Sequence, residues 1–291
     1  MTFNSDASRM ESESFIGSEP SILSVARDGS AAYAYLSGEY SLARLNIAAG
    51  SRDLVFTADP AGGANQQYGV YDMTIGPDGG LAVSSQNAFV GRLGGFDQTR
   101  PGQYIGVFDN GILRPQIDTN SSGPFANLPA TFELAFDDSG SRLYAYNSFL
   151  SSFELKVNEV SSRGVQWRSA TGELVVGYGT KIRSAQGLLY ASSGIVVDPE
   201  KLVRVGRFED EWLGSDAVVA PDPSAGRVYF ATCAGLLVFD SATYARLGRL
   251  PAGPGSIQGC PRDLVRVGGE SLAYLTNAGR LYLVNIASIP R

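Results

Sequence analysis

From Asp222 to Tyr244 the chain reads DPSAGRVYFATCAGLLVFDSATY: a turn, an apolar run, a glycine, a second apolar run, an aspartate and another turn. Close echoes stand at RDGSAAYAYLSG, DDSGSRLYAYNS, QGLLYASSG and GGESLAYLTNAG. Short apolar runs bounded by Gly, Pro, Asn and Asp predict β-strands joined by tight turns, because those residues supply the backbone angles and local hydrogen bonds a hairpin needs. Alternation is clearest at FELKVNEV, where Phe153, Leu155 and Val157 alternate with Glu154, Lys156 and Asn158. A period of two predicts a strand with one packed face and one wetted face.

Aligning the echoes gives two registered columns. Tyr33, Tyr144, Tyr190, Tyr229 and Tyr274 share the first, with Ala82 in the same place in GLAVSS, at steps of 39 to 62 residues. That spacing is expected of propeller blades with one insertion. The second column holds Asn46, Asp109, Asn158, Asp198, Asp240 and Asn285, each at the close of a third strand, where it is expected to cap its own backbone in the next turn. The reading is all-β: one six-bladed β-propeller domain over residues 1–291, built from four-stranded antiparallel blades. The last unit stops after its third strand, LYLVNI, so Met10 to Ile16 is expected to complete that blade and close the ring, removing a free sheet edge, with 1–9 unstructured.

The units PDPSAGRVYFAT, GLLVFDSATYARLGRL and LAYLTNAGRLYLVNI resemble the repeats of bacterial YVTN-type propellers, within the wider group of WD40-like and NHL-like repeat proteins. The resemblance spans nearly the whole chain and departs from the pattern in blades two and four. It rests on structural positions, so it implies the fold and leaves function open, since propellers host enzymes, receptors and scaffolds alike.

Composition narrows the chemistry. Charged residues are 18% of the 291, with 35 Gly and 14 Pro, which suits short strands and tight turns better than long surface helices. A net charge of −6 argues against nucleic acid, whose affinity comes from clustered Lys and Arg. The chain has no histidine, which removes Ser-His-Asp triads, Cys-His pairs and His-ligated metals. No sialidase-type Asp box and no D-x-D-x-D-G calcium loop occurs. The opening MTFNSDASRMESES lacks the features of a signal peptide, and no apolar run approaches the ~18 residues of a transmembrane helix. Two readings follow, a cytoplasmic protein or a chain whose leader has been removed; the polar start running directly into a strand favours the second, and with it an extracellular or periplasmic setting, and a monomer is expected.

Three groups of residues are candidates for function. Cys233 and Cys260 fall on one face of adjacent blades, where a disulfide would contribute about 3 kcal/mol in the chain-entropy picture; two separate buried thiols are the alternative. The long connections DPAGGANQQYG, NAFVGRLGGFDQTRPGQ and DTNSSGPFANLPA are expected to cluster beside blade two and bring Gln67, Arg92, Phe96, Arg100, Tyr104 and Phe125 together as a ligand face. Ile22, Asp72, Glu133, Thr180, Asp216 and Asp263 open the first strands of the six units. The four carboxylates among them could form an acidic ring, and oxygen-only ligands favour calcium. The leading expectation is a non-enzymatic module that binds a protein or glycan; the alternative is a calcium-dependent hydrolase of lactonase type, a resemblance carried by the acidic ring.

Overall fold

The repeated turn chemistry builds a series of antiparallel sheets. The computed structural model describes residues 2–4, 9–12, 17–26, 29–58, 68–87, 103–118, 132–251, 259–267, 271–277 and 281–286. They fall into two compact units, one of Met1–Asn147 and Lys156–Ala170, the other of Ser148–Leu155 and Thr171–Arg291.

In the first unit, β1 (Thr2–Asn4) and β2 (Arg9–Ser12) pair as a hairpin in a sheet of their own. The next sheet runs in order through β3 (Pro20–Val25), β4 (Ala31–Leu36), β5 (Ser41–Asn46) and β6 (Ser51–Thr57). A second holds β7 (Tyr68–Ile75), β8 (Leu81–Asn87), β9 (Gln103–Asp109) and β10 (Ile112–Leu113). A third joins β11 (Gln116–Asp118), β12 (Phe132–Phe136), β13 (Arg142–Asn147), β14 (Leu155–Ser161) and β15 (Gly164–Thr171), with β11 parallel to β15 on the outer edge. In the second unit one sheet contains β16 (Ile182–Ala185), β17 (Leu188–Ala191), β18 (Ile195–Asp198) and β19 (Val203–Arg207). Another contains β20 (Val218–Asp222), β21 (Arg227–Thr232), β22 (Gly235–Asp240) and β23 (Arg246–Pro251). The last contains β24 (Pro261–Val267), β25 (Ser271–Thr276) and β26 (Leu281–Asn285).

Both columns have a structural meaning. Tyr33, Ala82, Tyr144, Tyr190, Tyr229 and Tyr274 all lie on the second strand of their meander, and all are buried. Aromatic rings there fill the space between sheets: Phe208 packs within 5.0 to 5.3 Å of Phe230, Phe239 and Tyr244 in the core of the second unit. The Asn/Asp column divides. Asn46, Asp198 and Asp240 accept from the backbone N–H three residues on, at Ala49, Lys201 and Thr243, and so shape the same hairpin loop three times. The residue after that N–H takes a left-handed backbone in each loop: Gly50 at φ 62°, Leu202 at 55° and Tyr244 at 60°. The fourth strand then bulges against the third at matching places in all three sheets. Asn158 instead donates its side-chain amide to Leu143 O at 3.0 Å, and Asp109 holds a guanidinium.

Two expectations change. Three of the polar positions of FELKVNEV are not wetted: Glu154 and Asn158 are 0% exposed and Lys156 2%. The reason is that β14 is an interior strand, covered on the face that carries them, with the Lys156 ammonium 4.7 Å from the centre of the Phe132 ring. Phe153 lies before the strand, not on it. The closing strand also differs. Arg9–Ser12 pairs with Thr2–Asn4 in a two-stranded sheet and not with β26, and the sheet of β24–β26 has three strands among the described residues. Residues 13–16 lie outside those described.

Candidate functional site

The four carboxylates of the proposed ring occupy different surroundings. On β7, Asp72 accepts from the Leu134 backbone N–H on β12 at 2.7 Å, while its own N–H donates to Ser84 Oγ. Ser84 in turn donates to Phe132 O at 2.8 Å, so β7, β8 and β12 are stitched together. Glu133 is 2% exposed and sits opposite Tyr146 in the β12–β13 register. Burial pushes the Tyr146 phenol up, and Glu133 and Tyr71 add to the shift. In the second unit Asp263 accepts from Arg183 at 3.2 Å and from the Leu264 N–H at 2.8 Å, and Asp216 is exposed. Two of the four are thus engaged in holding strands. Among the described residues no group of three or more His, Cys, Asp or Glu side chains is placed to hold a metal ion.

The ligand face beside the second sheet falls largely outside the described residues: Gln67, Arg92, Phe96, Arg100 and Phe125 all do. Tyr104 is described and does not belong to a ligand face. It is 0% exposed in the core of the first unit, with its ring against Tyr68 and its hydroxyl donating to Ala58 O. Position 104 follows directly on a long connection, but it is already the second residue of β9 and points inward.

Cys233 and Cys260 are joined in a disulfide with Cα atoms 4.1 Å apart. Thr232 makes this possible, because its Oγ1 accepts from Ala234 N–H and donates to Gly235 O, so the tight turn after β21 turns Cys233 outward. Tyr274 secures the other side: its hydroxyl donates to Thr232 O at 3.1 Å, with Gly259 O at 3.5 Å. Burial, reinforced by Tyr282, pushes that phenol up to about 12.

Two further features were not read from the residue patterns. Arg114, 7% exposed, bonds Asp109, Asp78 and Ser161 O, and so ties the end of β9 to the β7–β8 turn and to β14. Its own protonated form is strengthened by Asp109 first, against the cost of burial. The second is an open cavity of about 620 Å³ in the second unit. Ser151 and Phe153 line it from the turn before β14, Glu173, Leu174 and Val176 from the segment after β15, and Leu202, Val203 and Arg204 from the β18–β19 hairpin. Phe153, Glu173 and Leu202 all have left-handed backbones, at φ 43°, 61° and 55°. Such angles cost a bulky L-residue about 1–2 kcal/mol and concentrate where function retains them. Val203 in its wall is 43% exposed, and Tyr178, beside the lining residue Phe153, is 56% exposed. Tyr178 packs edge-on against Phe153 at 5.1 Å. The signal for this site lay in the loop spacing: the first sheet places Gly50 four residues after Asn46, and this hairpin places Leu202 four after Asp198.

No known protein family matches the chain, and no curated protein matches it in sequence. Solved structures do. The β-propeller domain of Cps50 (Swd1) from Myceliophteria thermophila is 14% identical with a TM-score of 0.63, over 97% of this chain and 89% of that one. A chain of the mitotic checkpoint complex is 13% identical with a TM-score of 0.62, over 94% of this chain and 78% of that one. At such identities the likeness establishes the fold, and the chain is an all-β, six-bladed β-propeller.

Proposed function

We propose that this propeller is a non-enzymatic interaction module that engages a protein partner through the cavity lined by Phe153, Leu174, Leu202 and Val203. The observation that carries the reading is Leu202. The same loop position is glycine in the first sheet, and in the β22–β23 loop it is Tyr244, whose strained backbone is explained by a ring packed 5.0 Å from Phe208. Leu202 lines an open cavity of mixed polar and apolar lining, so its side chain is kept for what the cavity holds. Exposed Tyr178, packed against the lining residue Phe153, supplies an aromatic anchor of the kind typical of protein contacts. The place of a similar propeller in the mitotic checkpoint complex supports the reading by analogy. The connections carrying Gln67, Arg92, Phe96, Arg100 and Phe125 stay within the proposal as a further contact region, for protein or glycan. The YVTN-type resemblance and the Cys233–Cys260 bridge support an oxidising compartment outside the cytosol.

The test is affinity capture from the cells of origin with wild type, Val203→Glu and Leu202→Gly. Leu202→Gly relieves the left-handed backbone, so it is expected to hold the melting temperature while weakening capture, and Val203→Glu to abolish it. Identical captured proteins for all three would overturn the reading. A calcium-dependent rise in melting temperature, lost on Asp216→Asn with Asp263→Asn, would instead favour the hydrolase built on Asp72, Glu133, Asp216 and Asp263.

A further inference from the structure

The cavity wall carries a cation arranged for a charged ligand. Arg204 on β19 folds back so that its Nε–H donates to Leu174 O at 2.6 Å and its Nη2 to Glu173 O. An arginine that merely guards a sheet edge against aggregation extends into solvent. Arg204 is instead held in one orientation by two backbone carbonyls. A guanidinium has five N–H donors, so three are left. No carboxylate among the described residues forms an ion pair with Arg204, although that of exposed Glu173 is close by in the same wall. On the same strand Arg207 is exposed and, among the described residues, has no hydrogen-bond or ion-pair partner. The neighbouring Lys201 is already paired with Asp198 at 2.7 Å. Two uncompensated arginines therefore share with Val203 and Val205, which are 43% and 42% exposed, the outermost strand of their sheet.

We infer that the occupant of this site is an extended acidic and apolar peptide segment of a partner protein. Its carboxylate is taken by the oriented Arg204 guanidinium and its large apolar side chain by the cavity between Phe153, Leu174 and Leu202. This rests on the interaction reading above and adds the partner's chemistry. Charge complementarity is the argument. In a chain of net charge −6 a general attraction for acidic segments is absent, so an acidic partner must be recognised locally, by a fixed donor next to an apolar hollow. Arginine suits the task because its planar fork can meet a carboxylate with two parallel bonds while its remaining donors stay on the carbonyls.

The experiment is selection of a random displayed peptide library on the immobilised full chain, followed by fluorescence anisotropy on the enriched peptides. The expected peptides combine Asp or Glu with a nearby Leu, Ile, Phe or Trp, and bind more weakly as salt rises. Replacing the peptide's Glu by Gln is expected to weaken binding about tenfold or more, the scale of one charge-assisted hydrogen bond, and Arg204→Gln to do the same. The peptide substitution leaves the protein untouched, so a folding defect in Arg204→Gln does not blur the result. Enriched apolar peptides with no acidic residue, or an affinity unmoved by Glu→Gln in the peptide, would overturn the inference while sparing the interaction reading. No enriched peptide at all, or binding indifferent to Val203→Glu, would overturn both.

Discussion

Strands β14 and β22 are both third strands of their meanders, and both are buried along most of their length, but by opposite routes. In β22 the run Leu236, Leu237, Val238 and Phe239 is apolar on both faces and at most 1% exposed. This is the pattern expected of a strand covered on both sides. In β14 one face carries Leu155 and Val157, and the other carries Lys156 and Asn158, equally buried. The polar face is partly satisfied: the Asn158 amide N–H donates to Leu143 O and the Lys156 ammonium rests on Phe132, while Asn158 Oδ1 has no hydrogen-bond partner among the described residues. Only past Asn158 does β14 meet water, at Glu159, which approaches Arg142 and Arg168 at 3.6 Å. Alternation therefore reports that two faces differ in chemistry. Which face is dry depends on what packs against it.

Four substitutions sharpen or break this contrast. The largest effect is expected for Phe239→Ala, about 3–5 kcal/mol by denaturant unfolding, because it removes a ring wedged between Phe208 and Phe230. Asn158→Leu keeps the branched heavy-atom shape on β14 with a larger side chain and removes the hydrogen bond to Leu143 O, for an expected cost of about 1–3 kcal/mol. A stabilised Asn158→Leu protein would show that the polar face of β14 contributes nothing to stability, and the contrast would fail. The smallest effects separate two column tyrosines in otherwise similar settings. Tyr274→Phe is expected to cost about 1 kcal/mol, since the Tyr274 hydroxyl donates to Thr232 O. Tyr229→Phe is expected to be neutral or slightly stabilising, because the buried Tyr229 hydroxyl has no hydrogen-bond partner among the described residues. Equal melting curves for the two variants would mean that a partner makes no difference to a buried hydroxyl in this core.

Much of the fold was legible because its signals are local. The Tyr column marked second strands, since a buried aromatic recurs wherever a meander repeats. Asn46, Asp198 and Asp240 marked hairpin loops, since a side-chain oxygen three residues from an N–H closes the same turn each time. The disulfide was visible as a possibility from the placement of Cys233 and Cys260, and became a bond only through a Cα separation of 4.1 Å. The candidate site was far less legible. Asp72 and Asp263 read as members of a ring of four carboxylates, and in the structure each holds a partner distant in sequence, Leu134 N–H and Arg183. Tyr104 read as part of a loop and proved to be core.

By itself the sequence determined the strand periodicity, the six repeating units, the turn chemistry and the exclusion of histidine-based mechanisms, all of which follow from residue type and spacing over a few positions. The tertiary structure decided that the polar face of β14 is dry, that β2 pairs with β1, and that Leu202 keeps a strained backbone beside a cavity into which Arg204 is turned. Each of these depends on groups brought together from separate parts of the chain, where desolvation and the supply of hydrogen-bond partners, not local propensity, set the energy.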